Sequence, residues 1–425
     1  MLRSARNDDR ATRTDRRGAV LAFAALLLVC GCAGYASRVQ KARSFYEAGL
    51  YDSAVTELQS LEKRDDNDRL LYLMDLGLVY HAAGRYADAI QTFLEAEKLA
   101  DAKDFTRVSE EVGAVITNDD AKFYGGEDFE RILINVYLAI DYTLSAQWDE
   151  ALVECRKVNH RLDQMIQKGQ VPYERNAFAK YLAAVLFESQ GELNSAFVDY
   201  RQLYKWNPSL PLLGSSLLRV ADRLQASQEF EQYRAAFPDV KDYKLQKGWG
   251  EIVLILEQGK SPVKIPSYQL HLVPVFARRQ FTQRHAVVWD AKNPKLSARS
   301  RTFFDIEETA VRELNAKLAG IVAKKLAGVA AKEAIGAGVG AASDNKFLGA
   351  LTSLFLHLQD KADLRSWTTL PANLQIARLK LPAGRHDIAL DMVDGSGSRE
   401  TGLKTWTGLE VKPGRVTFLN FRSLD

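Results

Sequence analysis

The sequence predicts an α+β multidomain protein. An N-terminal TPR-type α-solenoid of paired helices comes first, then a mixed region with a helical hairpin, then a C-terminal antiparallel β-sandwich. Three observations carry this. A pattern of glycine, aromatic and alanine residues repeats, with a step of 35 residues from Gly49 to Gly84. After Gly248 the apolar period changes from helical to strand-like. Near the C-terminus, Pro-x-Gly and Pro-Gly turns separate alternating apolar runs.

The chain of 425 residues, 47% hydrophobic and 26% charged, has ordinary globular composition and is long enough for several domains. A net charge of +3 with no long basic tract gives no reason to expect nucleic acid. Three cysteines cannot build a disulfide framework. A mean hydropathy of -0.22 and a single long apolar run argue against a polytopic membrane protein. None of the six histidines stands in a ligand-spaced pair, so neither a metal nor another cofactor is expected.

Residues 1–31 read as a signal peptide. Six arginines precede the run Ala19 to Cys30, and the small residues Gly31, Ala33 and Gly34 flank Cys32. The run is too short for a membrane span of about 20 residues. Val29-Cys30-Gly31-Cys32 resembles the bacterial lipobox, which implies a palmitate-bearing, lipidated Cys32 as the first mature residue. Ala33 in place of Asp resembles the outer-membrane sorting signal. The expected location is therefore the outer membrane, lipid-anchored, on its periplasmic face. Acyl chains would hold the protein there at about 0.8 kcal/mol per buried methylene.

Residues 32–245 form the helical repeat domain. Leu76, Gly77, Tyr80, Gly84, Tyr86, Ala89, Phe93 and Ala96 stand at the offsets of the tetratricopeptide repeat (TPR). Gly77 and Ala89 are small where antiparallel helices cross, and Gly84 supplies the turn. The register recurs at Phe45–Leu61, Leu138–Val158 and Ala184–Leu203, with a weaker pair at 212–236. Such an array has a concave groove, and its usual occupant is a peptide or protein. Asn135, Tyr142, Arg156, Asn159 and Arg175 are the candidate lining residues, each also readable as a solvated helix residue. Tyr124-Gly125-Gly126 reads as a loop leading into a helix cap, or as a ligand contact. Cys155 reads as a buried small residue and His81 as a solvated one.

Residues 246–361 mix strands with an Ala/Gly-rich helical region. Ile252 to Leu256 and His285 to Trp289 are strand candidates. Residues 305–342 turn helical, and 347–358 read as a second helix. Three readings stay open for 305–358: a buried helical hairpin, a membrane-inserting segment, or a phosphate-cradling loop at Gly336–Gly340. Residues 362–425 are the β-sandwich-like part of the same module. Asp363, Arg365 and Trp367 there form either a ligand platform or a buried ion pair with a stacked ring.

In this order the lipobox, the repeats, the Tyr124-Gly125-Gly126 loop, Gly259 to Lys264, Ala362 to Trp367 and the terminal strands resemble an uncharacterised proteobacterial family of TPR-containing outer-membrane lipoproteins. The resemblance implies architecture and no chemistry. No nucleophile stands beside a base, so no enzyme is expected. The expected function is a lipid-anchored periplasmic scaffold or adaptor for an envelope protein partner, with peptidoglycan synthesis as one setting. The alternative is an export or surface-assembly component that inserts 305–358 into membrane.

Overall fold

The computed structural model describes residues 35–64, 66–110, 123–167, 175–268, 272–342 and 362–425. The signal peptide, Cys32 and the expected helix 347–358 lie outside these residues. Ten helices form five antiparallel pairs. They are α1 (Tyr35–Glu47) with α2 (Tyr51–Glu62), α3 (Arg69–Ala82) with α4 (Tyr86–Glu110), and α5 (Asp128–Leu144) with α6 (Trp148–Gln167). The series continues with α7 (Ala177–Gln190) and α8 (Leu193–Trp206), then α9 (Leu213–Arg223) and α10 (Ser227–Ala236). The turn inside the second pair needs a left-handed residue, supplied by Gly84 at φ +74°. Gly77 is required for a different reason. A Cβ there would stand 2.6 Å from the Phe93 ring, so only glycine lets α3 and α4 cross this closely.

The two helices of a pair are not equivalent. In α3 every residue from Leu70 to His81 is buried, and in α5 every residue from Ile132 to Asp141. Their partners bury one stripe only, such as Ala151, Leu152, Cys155, Val158 and Leu162 in α6. A helix buried on all sides needs a second neighbour. That neighbour is the C-terminal half of the chain.

Two four-stranded sheets build a sandwich. The first has the order β10 (Val416–Ser423), β1 (Trp249–Gln258), β7 (Asn373–Pro382), β6 (Arg301–Asp305). The second runs β5 (Asn293–Arg299), β4 (Gln283–Asp290), β8 (Gly384–Asp394), β9 (Arg399–Val411). A short ribbon pairs β2 (Val263–Pro266) with β3 (Pro274–Ala277). The expectation of an antiparallel sandwich within 362–425 needs two corrections. Four of its strands come from 249–305, and β1 pairs with β10 in parallel, Leu254 opposite Leu419. A parallel pair needs a long connection, and nearly the whole second half of the chain supplies it.

Strand β1 shows how the layers join. Ile252, Leu254 and Leu256 enter the sandwich core with Val288, Leu379 and Leu390. Val253 and Ile255 point the other way, into one continuous core with Tyr137, Leu217 and Trp367. The period-2 alternation is intact, but both faces are covered, so the run reads as uniformly apolar. The molecule has three layers in this region: inner helices, first sheet, second sheet.

Helix α11 (Ile306–Ala342) is one continuous helix of 37 residues. Ile306, Ala310, Glu313 and Leu314 are buried at its base, whereas Leu326 is 57% exposed. Gly336 to Gly340 is helical, so the phosphate-loop reading of that stretch is withdrawn. No described helix is long and apolar enough to cross a membrane.

Candidate functional site

Among the described residues, many of the buried charged side chains lie between the inner helices and the C-terminal half. Three clusters lie there.

The central cluster is built on His81, near the end of α3. Its Nδ1–H donates to Asp141 of α5 at 2.5 Å and its Nε2–H to Glu257 of β1 at 2.6 Å. All three side chains are 0% exposed. The Tyr137 hydroxyl and the Asn420 amide also donate to Glu257. Arg422 of β10 donates to the Tyr46 hydroxyl of α1. The reading of His81 as solvated is therefore wrong; its partner Glu257 lies 176 residues away in sequence. Burial alone would lower the His81 pKa, but the carboxylates of Glu257 and Asp141 outweigh it and hold it up at about 10. Burial wins at Asp141, whose pKa rises to about 6 despite His81. It loses at Glu257, which falls to about 2, because Arg422 and Asn420 act there besides His81. The cluster resembles a catalytic His–carboxylate pair in contacts, but it has no surface open to a substrate. Its chemistry is cohesion.

The second cluster joins the last repeats to the sheet. Arg378 of β7 bonds Glu251 of β1, with its Nε–H at 2.8 Å, and Glu188 of α7 at 3.3 Å. Arg219 of α9 forks onto Glu188 at 2.5 and 3.0 Å. Burial would raise the Glu188 pKa, yet the two guanidiniums pull it down to about 2.

The third cluster holds the residues singled out before β7. Arg365 binds Asp363 at 2.8 Å and Asp68, at the start of α3, at 2.9 Å. The ring its guanidinium covers is Tyr124, at 5.1 Å, and not the Trp367 indole. The Trp367 ring sits 5.9 Å from both Phe93 and Tyr137, and its backbone N–H donates to Glu130. Of the two readings, the structure takes the buried ion pair joining helix to sandwich. Burial, with Glu127 nearby, raises the Glu130 pKa to about 7. Tyr124 donates to Glu130, and Glu127 with Glu130 forms a capping box at the start of α5. The Tyr124-Gly125-Gly126 loop is thus a cap region.

None of the five candidate groove residues belongs to these three clusters. Asn135 is buried but donates to Glu97 and Glu154, between α4, α5 and α6. Tyr142 is half-buried beside the helical core. Arg156 and Asn159 line a groove of about 500 Å³ between α6, α7 and α8. Arg175 stacks 5.0 Å from the Trp206 ring. Cys155 is buried, as expected, and burial pushes its thiol pKa far up. The helical residues that meet the first sheet or its partners are His81, Tyr137, Asp141, Glu188 and Arg219. For His81, Tyr137 and Asp141 a signal existed: α3 and α5 are buried almost all round yet carry acids or a histidine. Among the described residues no group of His, Cys, Asp or Glu is arranged to hold a metal.

The fold and the site together define a helical-repeat protein that wraps its inner face around its own β-sandwich. Residues 39–104 match the tetratricopeptide repeat family. Among solved structures, the chain is similar over 46% of its length to MamA, covering 91% of that chain at 14% identity and a TM-score of 0.32. A tetratricopeptide repeat protein from Parabacteroides merdae is matched over 48% of this chain and 68% of that one, at 14% identity and a TM-score of 0.33. No curated protein matches the chain.

Proposed function

We propose that the protein is a non-enzymatic scaffold of the cell envelope, tethered to the outer membrane through a lipidated Cys32 and facing the periplasm. Its work is protein–protein interaction, with a peptidoglycan-synthesis partner as the first class to test. The observation that carries this reading is the filled inner face. The array already holds one β-sandwich as an internal partner, so an external partner meets the outer helices. The groove between α6, α7 and α8 is the surface offered there, with Val198 64% exposed on its border.

The test is site-specific photo-crosslinking in intact envelopes. A crosslinker at position 198 should capture a defined envelope protein, and one at the buried position 255 should capture none. The Arg156→Glu variant should abolish capture. Equal yields from both positions, or capture indifferent to Arg156→Glu, would remove the outer groove as the docking surface. Release of the unaltered protein from membranes by carbonate alone would remove the tether.

A second reading rests on α11, which leaves the body after Leu314 with Leu326 exposed. In that reading α11 enters a membrane and aids export. A Cys32→Ser form that resists carbonate extraction supports it; a form released completely does not.

A further inference from the structure

A cavity of about 330 Å³ opens where the last repeat meets the sandwich. Its walls come from α7, α9, the 244–248 linker, the starts of β1 and β10, and Arg378 of β7. Junctions of this kind, between two packed modules, are preferred places for small-molecule sites, and the volume falls in their ordinary range of about 300–1,000 Å³.

The charge of the lining is uneven. At the bottom lie Arg219 and Arg378, two buried guanidiniums facing the buried carboxylates Glu188 and Glu251. These four charges balance. The mouth adds Arg223, Lys244, Lys247 and Arg415 against a single acid, Asp222. Lys244 pairs with Asp222 at 3.1 Å. Arg223 reaches Glu188 only at 3.8 Å and is 47% exposed. Three positive charges thus remain over one small concavity. Arg219 lines the cavity and binds Glu188 through Nε and Nη2. Because Glu188 fixes it, this guanidinium is held in place before a ligand arrives. The Trp249 indole and Leu245 supply the apolar part of the wall.

We infer that this cavity binds a small oxyanion carrying two or more negative charges, such as an organic phosphate or a polycarboxylate, and that the ligand bridges the helical array to the sandwich. The argument is independent of the scaffold reading. Guanidinium forks match phosphate and carboxylate geometry alike, so the two chemistries are separated by experiment. A ligand touching both Arg223 of α9 and Arg415 of the β9–β10 turn stabilises their contact by mass action.

The test uses the full mature chain in 150 mM salt, with inorganic pyrophosphate and citrate as probes, by titration calorimetry and thermal unfolding. One equivalent of either probe should bind saturably and raise the melting temperature. Arg223→Ala with Arg415→Ala removes two exposed charges, gives up only the 3.8 Å Arg223–Glu188 contact, and leaves the close Arg219–Glu188 and Arg378–Glu251 pairs in place. The double variant should unfold like the parent without ligand and bind at least tenfold more weakly. A site for phosphate answers to pyrophosphate, and a site for carboxylates to citrate; either supports the inference. No saturable binding of either probe, or equal affinity in the double variant, overturns it.

Discussion

Replacing His81 by leucine tests the central cluster most directly. Leucine fills similar space but leaves Asp141 and Glu257 without the cation between them. The rise of the His81 pKa from 6.5 to about 10 corresponds to roughly 5 kcal/mol of preference for the folded state. Asp141 opposes it: its rise from 3.8 to about 6 costs roughly 3 kcal/mol above pH 6. The fall of the Glu257 pKa expresses the same attraction to His81 and is not added again. What remains is a few kcal/mol, in line with the ~3–5 kcal/mol lost when one member of a buried ion pair is removed. The raised His81 pKa also sets a pH window. Its contribution is complete below pH 6.5 and fades as pH climbs through 10. Urea unfolding at pH 5.5, 7.5 and 9.5, followed by tryptophan fluorescence, reads both effects. The parent should weaken between pH 7.5 and 9.5. His81→Leu should be weaker at pH 7.5 and recover part of the loss at pH 5.5, where the carboxylates take up protons. A His81→Leu protein as stable as the parent at pH 7.5 would refute the reasoning.

Three further outcomes are expected. Gly77→Ala places a Cβ 2.6 Å from the Phe93 ring and should cost about 1–3 kcal/mol, measured by urea unfolding; a neutral result means that the α3–α4 crossing has slack. Trp367→Ala empties the space between Phe93 and Tyr137 and should cost about 3–5 kcal/mol; a loss below 1 kcal/mol would show that the ring is not a joining element. Residues 36–245 expressed alone expose the apolar sides of α3 and α5, and should bind a hydrophobic dye strongly or aggregate; a monodisperse, dye-silent fragment would contradict the shared core.

The helical array was legible because its signals are local. Gly77 facing Phe93 and the Gly84 turn sit within one repeat, where spacing alone implies contact. The sandwich strands were legible as strands, but not in their partners. Nothing near Leu254 in sequence says that Leu419 lies beside it in parallel. The site was the least legible part. Polar residues on helices look alike whether they meet water or a distant strand, so nothing local separates Asn135 and Arg175 from Glu188 and Arg219. His81 was misjudged for the same reason. The all-apolar surroundings of His81 and Asp141 were the overlooked clue, since a helix with no wet side has no place for a solvated histidine. Arg365 and Trp367 were found because an unusual triplet in a non-repeating stretch stands out from its neighbours.

The position of β10 has a consequence for how the protein comes into being. Asn420 and Arg422 complete the central cluster from far along the chain, 163 residues beyond Glu257 and 376 beyond Tyr46. A nascent polypeptide can curl its helices early, yet the central cluster stays incomplete until Asn420 and Arg422 have been made. Without residues 416–423, β1 would lose its parallel neighbour and Glu257 the Asn420 amide, leaving the seam between helices and sheet open.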